Sequence, residues 1–198
     1  MKNTGKNRLI VAISGASGVV YGIRLLEMLK ALPGGQEIET HLIMSRGAAI
    51  TLAHETDLKV RDVEKLADMV HSNRDIGASV ASGSFQTMGM IIAPCSMKTL
   101  AEIATGVTDT LMSRAADVIL KERRRLVCMV RETPLHSGHL RNMLALSGMG
   151  AIIAPPVPAF YARPESLADI VDHSLGRVLD LFDIDSGTVH RWKDEAGS

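Results

Sequence analysis

Residues 8–18 read RLIVAISGASG and run directly into VVYGIRLLEMLKAL at 19–32. Arg8 to Ile13 is a short β-branched run without polar alternation, as expected of a strand buried on both faces, and such strands belong to parallel sheets. Ser14 to Gly18 then turns the chain at once. From Val19 onward, Val20, Ile23, Leu26, Leu29 and Leu32 recur at helical spacing, and Pro33, Gly34 and Gly35 end the helix. Strand, Gly-rich turn and helix form the opening of a β-α-β unit.

The same alternation continues along the chain. A second strand is expected over 40–44, leading through Ser45, Arg46 and Gly47 into a helical segment that ends near Glu55. A helix is expected near 60–69, then a polar passage, SNRDIGASVASGS, too weakly periodic for core and read as an active-site or interface loop. Further strands are expected over 88–93, 126–130 and 151–154, with helices near 99–103, 109–123, 139–147 and 166–181. Recurrent β-α units favour an open parallel α/β sheet with right-handed crossovers and helices on both faces, a three-layer arrangement. The 198 residues suit one domain over 1–198, with about 1–7 and 194–198 expected to be flexible.

Composition narrows the function. Apolar residues make up 46% of the chain, but the aromatics are only three Phe, two Tyr and one Trp, so the core must be mostly aliphatic. Lys plus Arg (22) equals Asp plus Glu (22), which removes the broad basic field that nucleic-acid or anionic-membrane binding requires. Any anion site must be local. Cys95 and Cys128 cannot build a disulfide framework, which favours a cytoplasmic setting. The opening MKNTGKNRLIVAI imitates a secretory signal, but its apolar run stops at Ser14, and no stretch is long enough to span a bilayer.

In open α/β sheets ligands sit at the carboxyl ends of the strands, which directs attention to the segments after each one. The glycines of SGASG let backbone amides approach an anion or flavin at a helix start, although the GxGxxG spacing of a dinucleotide site is absent. After 88–93 comes PCSMKT, where Ser96, Lys98, Thr99 and backbone amides suit a phosphate. Cys95 reads as a buried structural thiol. Arg114 and Lys121 lie two helical turns apart on one face, and Arg131 and Glu132 follow a strand. Cations converging on one cleft would stabilise the charge of a departing phosphate; the alternative is a solvated helix face. Glu132 is either an acid-base group or an ion-pair partner. His136 and His139 lack a third ligand at metal spacing, and PPVPAFY (155–161) is a rigid loop able to hold Phe160 and Tyr161 over a ligand or to pack on the surface. Nothing local marks Arg177.

Taken in order, SGASG, ETD, SGSF, PCSMKT, RAADVILKERR, VRETPLH, PPVPAFY and the late RW resemble the UbiX-type flavin prenyltransferases along almost the whole chain. The resemblance implies a Rossmann-like, flavodoxin-type sheet and membership of the homo-oligomeric flavin-containing cysteine decarboxylase group, commonly as dodecamers built from trimers. It implies that Gly15, Ala16, Ser17, Ser45, Ser96, Met97, Lys98, Thr99 and Arg131 hold flavin mononucleotide (FMN). Lys121, Tyr161 and Arg177, with Arg114 nearby, would hold dimethylallyl monophosphate; Glu55 and Glu132 would lie near the flavin and Trp192 would help close the site. Some members carry tryptophan near the position of Ile76. The chemistry implied is metal-independent alkylation of reduced FMN at N5 and ring closure at C6, with Glu132 as a proton shuttle, and the prenylated FMN passes to a UbiD-type decarboxylase in ubiquinone synthesis or aromatic acid decarboxylation. The competing readings are a flavin-dependent aromatic-acid or cysteine decarboxylase and a non-catalytic flavin carrier subunit.

Overall fold

A computed structural model describes residues 7–32 and 37–192. The helix end expected at 33–35 and, apart from Asn7, the flexible ends expected at about 1–7 and 194–198 lie outside the described residues. The elements in chain order are β1 (Arg8–Ile13), α1 (Val19–Lys30), β2 (Glu39–Met44), α2 (Arg46–Glu55), α3 (Val60–Glu64), β3 (Met69–Ser72), β4 (Gly89–Cys95), α4 (Met97–Thr105), α5 (Leu111–Lys121), β5 (Arg125–Val130), α6 (Ser137–Met149), β6 (Ile152–Ile153) and α7 (Leu167–Asp180).

The six strands form one parallel sheet in the order β3-β2-β1-β4-β5-β6. Side chains alternate across it as the pleat requires. From β1, Leu9, Val11 and Ile13 pack with Leu25, Leu26 and Leu29 of α1 and Leu175 of α7, whereas Ile10 and Ala12 face Leu100 of α4, Ala115 of α5 and Leu146 of α6. Both faces are therefore covered, and Leu9 to Ile13 have no exposed surface. Each large aliphatic side chain buried this way contributes about 1.5–3 kcal/mol. Cys95 and Cys128 lie fully buried as free thiols on adjacent strands; hydrogen bonding to Cys128, burial and repulsion from Cys128 push the Cys95 thiol well above its ordinary range.

Two sequence expectations are corrected. The segment near 60–69 is only a short helix, Val60–Glu64, and the chain then enters an additional strand, Met69–Ser72, at the sheet edge. That strand is four residues long with Met69 and Val70 about half exposed, so it carries no buried apolar run to betray it. The polar passage that follows is not wholly outside the core either, because Val80 is 1% exposed and packs beneath α5.

β1 and β4 are neighbours, but the chain leaves β1 toward β2 and leaves β4 toward β5. The loops after them diverge, and this switch point opens a crevice at the carboxyl edge of the sheet. Among the described residues no helix is long and apolar enough to cross a membrane.

Candidate active site

The crevice is an open cleft of about 990 Å³. Gly15, Ser45, Gly47, Ser96, Lys98 and Thr99 line it, together with His71 and Arg74 from the region of β3. Its floor is held by Ser14, which has no exposed surface. The Ser14 hydroxyl donates to the Pro94 carbonyl (2.8 Å) and accepts from the Ser96 amide (2.7 Å), tying the loop after β1 to the loop after β4. On the other side, Gly15 meets Gly47 so closely that a Cβ on Gly15 would stand 2.8 Å from the Gly47 Cα. Glycine at both positions is what allows two backbones this approach.

The serine hydroxyls have local duties. Ser45 caps α2 by accepting from the Ala48 amide (3.0 Å), and Ser96 caps α4 by accepting from the Thr99 amide (3.3 Å) while donating to the Thr99 hydroxyl (3.2 Å). Met97 is partly buried, and Lys98 reaches Glu102 one turn along α4 at 3.3 Å with most of its side chain in solvent.

At the start of α1 two backbone amides are engaged by a side chain of the protein itself. The Glu55 carboxylate already accepts from the Gly18 amide (2.9 and 3.1 Å) and the Val19 amide (3.0 Å), so a negative charge of the protein itself sits on the positive end of that helix. Burial alone would raise the Glu55 pKa, but hydrogen bonds from Ser17, Gly18 and Val19 and the positive field of Arg131 outweigh it and hold it below the ordinary value. Arg131 Nε donates to the Ser17 carbonyl (3.3 Å), and its backbone amide donates to Cys95 (3.1 Å), so the residue after β5 is drawn over the loop after β1. Ala16 lies buried beneath this knot. Glu132 is exposed and its carboxylate accepts from the Thr133 amide (3.1 Å).

The remaining expected residues are not gathered at this cleft within one chain. Arg114 lies in the first turns of α5, near the cleft-lining Thr110 and Met112, and pairs with Asp117 at 2.8 Å. Lys121 ends the same helix, about 10 Å further along. There it pairs with Glu122 and adjoins Gly83, whose carbonyl accepts from Arg124 just before β5 begins. That is the amino edge of the sheet, opposite the cleft, so Arg114 and Lys121 share a helix face but do not converge. Tyr161, Arg177 and Trp192 form a separate cluster against α7. Tyr161 contacts His173 and Trp192 edge-on (ring centroids 5.7 and 5.4 Å), and Tyr161 and Trp192 line, with Arg177, Val189 and Arg191, an open pocket of about 360 Å³. Ile76 stands 59% exposed.

Sequence reasoning passed over Ser14, whose partners lie about eighty residues away, and the histidine pair behind the cleft wall. His41 and His71 ring nitrogens are 2.8 Å apart, and the other nitrogen of His41 meets Glu39 at 3.0 Å. Burial and the neighbouring His41 hold the His71 pKa below its ordinary value. His136 and His139 instead serve α6: the His136 ring accepts from the Gly138 and His139 amides as the helix cap.

A cleft lined by hydroxyls and closely packed glycines at the switch point of a doubly wound sheet, with Arg131 drawn over the adjoining loop, is the architecture of a nucleotide- or flavin-binding α/β protein. The family model described as Flavoprotein matches residues 1–188. The chain is 59% identical over 177 residues to the flavin prenyltransferase UbiX of Escherichia coli K12 (89% of this chain, 92% of that one), and 53% identical over 185 residues to that of Thauera aromatica (93% of each). A crystal structure of AnUbiX in complex with FMN and dimethylallyl pyrophosphate superposes with a TM-score of 0.92 at 52% identity, covering 96% of this chain and 98% of that one. A dodecameric FMN-dependent UbiX-like decarboxylase from E. coli O157:H7 follows at 0.90 and 50% identity, covering 94% and 99%. The chain belongs to the flavoprotein family and, within it, to the UbiX flavin prenyltransferases.

Proposed function

We propose that this protein transfers the dimethylallyl group of dimethylallyl monophosphate to N5 and C6 of reduced FMN, and that the prenylated FMN serves a UbiD-type decarboxylase. The observation that carries the reading is the superposition, over 96% of the chain, on a relative whose ligands are FMN and dimethylallyl pyrophosphate. The cleft suits the flavin on its own chemistry. Its volume of about 990 Å³ accommodates a cofactor of that size, its floor is formed by two glycines in backbone contact, and its rim offers the hydroxyls of Ser45, Ser96 and Thr99 and the ammonium of Lys98.

In this reading Gly15, Ala16, Ser17, Ser45, the turn of Ser96, Met97, Lys98 and Thr99, and Arg131 hold the FMN. The flavin supplies the nucleophilic nitrogen and carbon. Arg131, fixed to the Ser17 carbonyl, contributes positive charge where phosphate departs, and Glu55 keeps that guanidinium and the 15–18 loop in place. Glu132, exposed beside Arg131, is the candidate proton carrier.

Lys121, Tyr161 and Arg177 belong to the same reaction only if other copies of the chain bring them to the cleft, and we infer a homo-oligomer that does so. The dodecameric relative supports this. So does α6, which buries only Leu146 while Leu140 and Leu144 stand 53% and 74% exposed, an apolar face with no cover among the described residues. Two buried free thiols accord with action in the cytoplasm.

Anaerobic incubation of the purified protein with reduced FMN and dimethylallyl monophosphate, followed by mass analysis of the released flavin, tests the reading. A flavin heavier by one prenyl unit is the expected product. Unmodified flavin from protein shown to bind FMN would overturn it.

A further inference from the structure

The segment after α7 folds back across that helix and is fixed there by specific contacts. Ile184 is buried, the Thr188 hydroxyl donates to the Asp172 carbonyl (3.3 Å), and the His190 carbonyl lies 3.3 Å from His173 Nε2. Gly176 is what admits the segment, since a Cβ there would stand 2.6 Å from Val189 and 2.7 Å from Thr188. The fold-back delivers Arg191 to Asp180. Arg191 grips the Asp180 carboxylate with both terminal nitrogens at 3.0 Å, and Arg177 donates to the same carboxylate at 2.6 Å.

Two guanidiniums thus meet at one carboxylate beside Tyr161 and the Trp192 ring. Asp180 keeps only 17% of its side chain in solvent, whereas Arg177 and Arg191 keep 54% and 44%, so the acid is sunk behind the arginines and the cations face outward. A pocket with two forward arginines and two aromatic walls fits an anionic phosphate ester carrying a short apolar chain, and planar guanidiniums suit phosphate oxygens in pairs.

Resting on the prenyl-transfer reading, we propose that Arg191 is a second phosphate-binding arginine of the prenyl-donor seat, and that Asp180 is the positioning residue that aligns Arg191 with Arg177. The donor phosphate bridges the two guanidiniums on the side away from Asp180, while Tyr161 and Trp192 flank the ester.

The test uses the full-length assembled enzyme and follows two readouts: direct binding of dimethylallyl monophosphate by calorimetry, and steady-state turnover at saturating reduced FMN. Loss of one charge-assisted contact to phosphate should weaken donor binding and raise its KM about 10- to 100-fold in Arg191→Gln. Inhibition by inorganic phosphate should weaken in parallel, with FMN affinity unchanged and partial recovery in Arg191→Lys. Asp180→Asn should likewise raise KM more than it lowers kcat. Donor affinity and phosphate inhibition at wild-type levels in Arg191→Gln would overturn the proposal, as would a loss confined to thermal stability. Wild-type protein that binds the donor without alkylating the flavin would defeat the prenyl-transfer reading instead, and the calorimetric comparison would still decide the role of Arg191.

Discussion

Replacing Gly15 by alanine tests whether the cleft floor depends on contact between two backbones. The new Cβ would stand 2.8 Å from the Gly47 Cα and 3.0 Å from its carbonyl carbon. Carbon atoms rest at about 3.5–4.0 Å, so the loops after β1 and β2 must part by roughly 1 Å. Neither is free to do so, because Ile13 pairs with Met44 and the Ser45 amide donates to the Ile13 carbonyl at 3.0 Å. Forcing a methyl group into so tight a place typically costs about 1–3 kcal/mol. The same displacement spreads the seat expected to hold the flavin, and a loss of about 1.4 kcal/mol there is tenfold in affinity. Urea unfolding at fixed protein concentration and fluorescence titration with FMN measure the two effects. Gly47→Ala should behave alike, and the double variant should lose less than the sum, since the second methyl enters a gap the first has opened. A Gly15→Ala protein within about 0.5 kcal/mol of wild type and binding FMN as tightly would refute the reasoning.

Other expectations follow from the knot at α1 and from the bare face of α6. Glu55→Gln removes the charge from three hydrogen-bond contacts that are partly in solvent, so about 1 kcal/mol of stability should go at neutral pH. Because the folded-state pKa of Glu55 lies below its ordinary value of 4.5, its contribution is complete above that pH and is lost as pH falls through the folded value. Unfolding curves of wild type and variant should therefore converge in acid; a constant gap would count against the carboxylate. Leu144→Glu, on a side chain 74% exposed in the single chain, should shrink the particle measured by light scattering, and an unchanged mass would show that α6 is not a subunit contact.

The sheet was legible where the residues themselves carry the pattern. β1 runs over Arg8–Ile13 as expected, and the neighbouring strands and helices begin within two residues of their expected positions except around 60–72, where the edge strand Met69–Ser72 carries no buried apolar run to mark it. Likewise SGASG and PCSMKT were found because they follow strands. What local pattern could not reveal was which amides were already taken. Ser14 claims the Ser96 amide from across the switch point, and Glu55 claims those of Gly18 and Val19 from the far end of α2. Nor does helical spacing tell that Lys121 points to the opposite edge of the sheet from Arg131. That follows only from the direction in which α5 crosses between β4 and β5.

The two buried cysteines have a practical consequence. Cys95 and Cys128 have no exposed surface, and at least the former holds its proton firmly, so alkylating reagents find no thiolate to attack while the sheet stays closed. Both lie on central strands rather than in a loop that frays. Labelling by a thiol reagent therefore times the opening of the sheet itself, and the natural chain carries its own clock for global unfolding without an added probe.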